Sequence, residues 1–424
     1  MASQAISSSG AGNRVIIAVA GVVMQVALGA VYAWSVFREA LAEQYGTSVT
    51  AVNTTFSITI LALGFAAFVG GLWMGRSGPR IVAITAGILY GVGIFLASFA
   101  GSSLPLLYLT YGLVAGVGIG LGYIVPVATL IKWFPDKRGF ITGVAVAGFG
   151  GGAFVTAFIA KALVSSVGVF QTFAILGVIY LIMVVGAALF MKTPPEGWKP
   201  EGWEPDTTES SDRSGVDYDL GGALRHWQWY ALWALLFLNV SAGISIIVEA
   251  APMAQEIAGV NATVAAGLVS IISVANALGR FGWAWLSDAI GRKWVFFTMF
   301  LLQAVLFFLL PLVSVYFLLA ILAFAIVSCY GGGFGTMPAF AADYFGSANV
   351  GKIYGLMLTA WGFGGVLGPL LISYILDTTK SYTLAFYIIA AIMLGSAVVA
   401  FIVRPPTRPQ EAGGRTGDTA GARV

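Results

Sequence analysis

The chain has 424 residues, of which 59% are apolar and only 9% charged, with a net charge of +3, whereas a water-soluble domain carries roughly 25% charged residues. With 21 basic and 18 acidic side chains no globular surface can be covered, so a water-soluble enzyme and a disordered chain are both excluded. The small net charge argues against a nucleic-acid partner, the lone Cys329 against a disulfide framework or Cys/His metal cluster, and the single His226 against a histidine relay.

The alternative is an all-α membrane protein, because spanning a bilayer takes about 20 mostly apolar residues in a helix. Such segments fall at about 15–37, 52–74, 81–100, 105–131, 140–163, 171–191, 228–251, 263–286, 294–313, 315–342, 353–376 and 382–403. They make twelve helices in two sets of six, an N-terminal bundle at 13–191 and a C-terminal bundle at 227–404. Residues 1–12 and 405–424, rich in Ser, Gly, Ala and Thr, are expected to be disordered tails. Residues 192–226 hold eight of the 18 carboxylates with Pro194, Pro195, Pro200 and Pro205, and read as a linker between the bundles. Ala223–Trp227 is expected to form a short interfacial helix, with Trp227 and Trp229 at headgroup depth. Seventeen of the basic residues flank the helices on the linker side, against Arg38, Lys161 and Lys380 on the other. Both termini and the linker are therefore expected in the cytoplasm of a multi-pass inner or plasma membrane protein.

The bundles repeat one another, as the halves of secondary transporters do. Gly75-Arg76-Ser77-Gly78-Pro79-Arg80 after the second helix matches Asp288-Ala289-Ile290-Gly291-Arg292-Lys293 after the eighth. Trp133-Phe134 matches Tyr344-Phe345, and Gly148-Phe149-Gly150-Gly151 aligns with Gly362-Phe363-Gly364-Gly365. The glycine-rich run Gly116–Gly122 lies mid-span with no strand before it, so it is read as close helix packing and not as a phosphate loop.

The basic turn after the second and eighth helices resembles the signature loop of the major facilitator superfamily. Trp133-Phe134-Pro135-Asp136-Lys137-Arg138-Gly139, followed by Thr142-Gly143-Val144-Ala145-Val146-Ala147-Gly148, is similar to the fifth-helix signature of monocarboxylate transporters and bacterial oxalate/formate antiporters. The overall likeness is to a bacterial lactate-type monocarboxylate transporter. In the first loop Gly75 stands where the family usually has Asp, which Asp288 keeps in the second.

One basic residue, Arg280, belongs to neither membrane face. It falls about 12 Å inside the eighth helix at 1.5 Å per residue, where burying an arginine costs roughly 2.5–3.5 kcal/mol. A buried acid would be the usual partner, but Glu39, Glu43, Asp136, Glu249, Glu256, Asp288, Asp343 and Asp377 all fall at or near helix ends by these boundaries. The planar guanidinium binds a carboxylate with two parallel hydrogen bonds, so the substrate is expected to supply the partner. Asn276 lies one turn earlier on the same face, and either contacts the substrate or holds a neighbouring helix; eukaryotic monocarboxylate transporters have Asp at the matching place. The resemblance further implies a cavity lined by helices 1, 4, 7 and 10, with aromatic walls at Tyr123, Tyr330, Phe334 and Tyr32, and Leu28 one turn before Tyr32. It also places Trp361 where the antiporters carry a lysine. One fixed positive charge suits a monoanion and two a dianion.

The expected function is secondary transport of a small monocarboxylate, of the lactate or pyruvate class, by alternating access. The expected coupling is proton symport, with no bound cofactor or metal and a monomer as the working unit in the lipid bilayer. Electroneutral carboxylate exchange is the alternative, and a non-transporting sensor a third reading weakened by the short linker.

Overall fold

In the computed structural model, which describes residues 13–203 and 214–406, the chain is a bundle of twelve long helices and no strands among those residues. We label them α1 (Arg14–Tyr45), α2 (Val49–Ser77), α3 (Pro79–Ala97), α4 (Leu104–Trp133), α5 (Arg138–Val167) and α6 (Val169–Ala188) in the first half. The second half has α7 (Trp227–Ala258), α8 (Ala262–Ile290), α9 (Arg292–Leu312), α10 (Tyr316–Phe345), α11 (Val350–Met357, continuing as Thr359–Thr379) and α12 (Tyr382–Ile402). Among the described residues eleven are long and apolar enough to cross a bilayer, and α8 is the remaining 29-residue helix. The expected tails at 1–12 and most of 405–424 lie outside the described residues, as does the middle of the linker.

Most helices end where the sequence supplies a residue that leaves helical geometry. Gly78 between α2 and α3 and Gly291 between α8 and α9 both take positive φ, 76° and 90°, which only glycine adopts without strain. The two signature loops therefore share a backbone as well as a sequence. After α5 and α11 the chain turns at Gly168 and Lys380, both with positive φ but with different ψ, 166° and 30°. The contacts of their glycines with α8 and α2 equate Gly139 with Gly351 and Gly150 with Gly362, and hence Phe149 with Trp361. That corrects the expected alignment of Gly148 with Gly362 by two residues. Repeated Gly-Phe-Gly-Gly strings resemble themselves when shifted by two, whereas helix contacts do not. Gly143 faces Arg280 and Ala284 on α8, just as Gly355 faces Ala67 and Phe68 on α2.

The glycines set how closely the helices approach. In the Gly116–Gly122 run, a Cβ on Gly116 or Gly120 would press on α2 at Thr59 and Leu63, one on Gly118 on α3 at Tyr90, and one on Gly122 on Leu28 of α1. This is the packing expected from the sequence. The α8–α10 contact is as close: Gly279 meets Ser328, Gly331 the Asn276 carbonyl and Gly335 the Arg280 carbonyl. Gly335→Val should force α10 away from Arg280 and destabilise the protein by roughly 3 kcal/mol. A thermal midpoint in detergent equal to the parent's would contradict this.

At the linker end the halves are sealed together. Arg138 on α5 pairs with Asp343 on α10 at 3.0 Å, and Asp288 accepts the backbone N–H groups of Gly139 and Phe140 at 3.0 and 2.7 Å. Thr142 donates to the Gly335 carbonyl and Lys132 to that of Ala348, both at 2.9 Å. The described part of the linker lies over this seal, with Ser214 N–H bonded to the Asp343 carbonyl and Tyr218 N–H to that of Phe345.

The interfacial helix forms three residues earlier than expected, at Leu220–Leu224, because the Asp219 carboxylate caps it through Gly222 N–H at 2.6 Å. His226 precedes α7 and sits edge-on to Tyr218. Trp227 is exposed, whereas Trp229 is buried in the protein and its indole N–H points to the Ile353 carbonyl.

Candidate substrate site at Arg280

The α8 helix runs four residues further than expected, to Ile290, which leaves Arg280 about 15 Å from that end. It is fully buried. Its Nε donates to Asn276 Oδ1 at 3.0 Å, and Nη2 lies 3.5 Å from the Tyr32 hydroxyl. Nη1 has no hydrogen-bond partner among the described residues, and no acid pairs with this cation. Glu249 also lies deeper than expected, nine residues inside α7, which continues to Ala258; it accepts the Tyr382 hydroxyl at 2.9 Å instead of meeting Arg280.

Aromatic rings from both halves close around the guanidinium. Its central carbon stands 4.7 Å from the Phe334 ring centroid, 5.5 Å from Phe149 and 6.0 Å from Tyr32. Trp361 packs edge-on against Phe334 at 4.7 Å, Tyr123 at 5.3 Å and Phe149 at 5.6 Å. The Tyr32 and Tyr330 hydroxyls share a hydrogen bond of 3.0 Å. Tyr32 can reach the centre because α1 tightens into a 3-10 turn at Gly29–Trp34, where Gly29 lies directly against the Phe149 backbone.

Six of the eight residues expected from the sequence meet here: Arg280, Tyr123, Tyr330, Phe334, Tyr32 and Trp361. Asn276 is adjacent but holds the arginine side chain, leaving the charge aimed into the cage. Leu28 is buried against Gly122 and Ala86, in the seam of α1, α3 and α4. Two residues were missed. Phe149 was legible only as part of a glycine motif; its identification requires the corrected repeat register, which makes it the partner of Trp361. Tyr354 approaches Tyr123 without closing a hydrogen bond, and no sequence signal distinguished it from a packing tyrosine.

Several polar groups in the cage have unused donors. Besides Arg280 Nη1, the Tyr123 and Tyr354 hydroxyls and the Trp361 indole nitrogen are buried without hydrogen-bond partners among the described residues. Each such group costs about 1–3 kcal/mol when buried unpaired. All four can donate, although the two hydroxyls can also accept and Tyr123 lies near both Tyr354 and Arg280; a carboxylate has two oxygens with about four acceptor positions. The constellation is thus complementary to an oxyanion with an apolar remainder. It contains no nucleophile–base pair, and no group of three His, Cys, Asp or Glu is placed to hold a metal ion among the described residues.

The sequence profile of the Major Facilitator Superfamily matches residues 17–281 and 232–423. The chain belongs to the Major Facilitator Superfamily. It is a multi-pass integral membrane transporter, not an enzyme. Among curated proteins it is 31% identical to the uncharacterized MFS-type transporter YhjX of Escherichia coli K12, over 81% of this chain and 84% of that one. It is 28% identical to the oxalate:formate antiporter of Oxalobacter formigenes, over 94% and 93% of the two chains, and 28% identical to monocarboxylate transporter 13 of Rattus norvegicus, over 88% and 84%. The fold is shared with the transporter FucP crystallised in the outward conformation, with a TM-score of 0.69 at 15% identity over 91% of this chain and 97% of that one.

Proposed function

We propose that this transporter moves a small monocarboxylate of the lactate or pyruvate class by alternating access, with the carboxylate held on Arg280. The observation that carries the reading is a fully buried arginine whose Nη1, with three other buried groups, has no hydrogen-bond partner among the described residues, in a cage where those residues supply no second cation. Tyr123, Tyr354 and Trp361 offer the remaining hydrogen bonds, and Phe149 and Phe334 an apolar wall for a methyl group. Relatives named as monocarboxylate transporters and as an oxalate:formate antiporter support a carboxylate substrate. The excess of basic residues in the linker-end loops supports a cytoplasmic linker end, and on that reading the sealed seam described above corresponds to a cytoplasm-closed carrier.

Coupling to a proton is the favoured mode, because a proton travelling with the anion makes the cargo neutral and removes opposition by the membrane potential. Anion exchange is the second reading. It is favoured by the absence of any acid on Arg280, since an empty carrier must then reorient with an uncompensated buried charge. Proteoliposomes separate the two. With symport, a gradient of one pH unit, acid outside, should drive about tenfold lactate accumulation into vesicles containing no exchangeable anion. Uptake that requires a carboxylate-loaded lumen and ignores the pH gradient would replace symport by exchange. Saturable uptake of none of lactate, pyruvate, acetate or oxalate would overturn the reading altogether.

A further inference from the structure

The repeat builds two matching seams between the halves at the linker end, α5 against α8 and α11 against α2. The first is closed by a carboxylate. Asp288 receives the N–H groups of Gly139 and Phe140 at the start of α5 and pairs with Arg292 at 2.6 Å. At the second seam the corresponding residue is Gly75, and Lys352 replaces Phe140. No side chain caps the start of α11.

A cavity of about 250 Å³ lies around Gly75, walled by Thr129, Lys132, Thr193, Asn349 and Lys352 among others. Both lysines spend their visible hydrogen bonds on neutral oxygens, Lys132 on the Ala348 carbonyl at 2.9 Å and Lys352 on Asn349 Oδ1 at 3.2 Å. An ammonium has three donors, so each keeps donors to spare. Neither lysine forms an ion pair among the described residues. Asp217 of the linker, whose Oδ1 accepts the Ala348 N–H at 2.9 Å, bears on Lys132 electrostatically but forms no ion pair with it. The pocket therefore concentrates two positive charges where its twin has a built-in negative one. Lys132 and Gly75 come from the first half, and Lys352, Asn349 and Ala348 from the second.

We propose that this pocket binds a phosphate-class oxyanion, which takes the place of the missing carboxylate and ties the two halves together at the linker end. Two ammonium groups match an ion of charge near −2, whereas the central cage has a single cation. The ion joins Lys132 of one half to Lys352 of the other, so it stabilises the closed linker end and slows its opening. Free phosphate and the phosphate of an anionic lipid headgroup present the same chemistry to these groups.

The test uses the full chain in nanodiscs, which expose both ends, and no carboxylate substrate, so it does not depend on the proposed cargo or orientation. In neutral phosphatidylcholine, inorganic phosphate at constant ionic strength should raise the thermal midpoint by about 2–4 °C. Lys132→Gln or Lys352→Gln should weaken the apparent phosphate affinity roughly tenfold, and the double variant should lose the response. Gly75→Asp supplies the carboxylate internally; its Cβ meets only the flexible end of Lys352, so it should raise the midpoint without phosphate and no longer respond to it. A midpoint already raised by phosphatidylglycerol, with no further effect of phosphate, would identify the headgroup as the occupant; a phosphate response in both lipids would identify the free ion. A phosphate response undiminished in the double variant, or no response to either phosphate or anionic lipid, would overturn the proposal.

Discussion

Arg280→Gln is expected to reduce saturable carboxylate uptake by about 100-fold or more while leaving the fold intact. Truncating one side of a buried, hydrogen-bonded charge pair costs roughly 3–5 kcal/mol, and about 1.4 kcal/mol is a factor of ten. On the proposed reading the other member of the pair is the substrate, so the loss should fall on binding. Stability should move the other way or not at all, because the substitution removes a buried cation that no acid compensates, and the glutamine amide can still reach Asn276. Arg280→Lys should be nearly as severe, since an ammonium lacks the planar fork and Nε bond that aim the charge. Initial rates in proteoliposomes beside thermal midpoints check both halves of the expectation. Near-parental uptake by the glutamine variant would show that the charge does not hold the substrate.

Trp361→Lys is expected to exchange monoanion for dianion preference. The indole touches four rings of the cage, Tyr32, Tyr123, Phe149 and Phe334, so its removal opens space as well as adding charge. Without ligand, two cations about 6 Å apart at an effective dielectric near 20 repel by roughly 3 kcal/mol. The variant should therefore be less stable when empty and regain stability with oxalate, which pairs both charges, far more than with lactate. Lactate uptake should fall and the oxalate-to-lactate affinity ratio rise by about tenfold or more. Thermal-shift titrations of the two anions decide the matter, and an unchanged ratio in a folded variant would place selectivity elsewhere.

Much of this molecule is legible in one dimension. Twelve apolar runs, a linker with eight carboxylates and two copies of a signature loop suffice for a two-bundle membrane fold, because length and polarity are properties of a segment by itself. Arg280 is equally legible: a charge near the middle of an apolar run is expensive wherever that run packs. The aromatic positions are legible only through the family resemblance, since a tyrosine in a membrane helix has the same sequence signature whether it packs or binds.

Contacts across the halves decided the rest. Tyr354 and Phe149 join Tyr123 and Trp361 only after α5 and α11 have packed at a defined register, and repeated glycine strings leave that register ambiguous by two residues. Only the packed structure shows that Asn276 Oδ1 holds Arg280 Nε. Leu28 and Trp229, plausible by spacing, face Gly122 and the Ile353 carbonyl instead. Gly75 was visible in the sequence as a departure, but the basic cavity beside it arises only where α2, α4 and the α10–α11 turn meet. Hydropathy and charge cost are local and additive enough to read along the chain, whereas which donors end up unpaired in a shared cage is fixed by the relative placement of helices far apart in sequence.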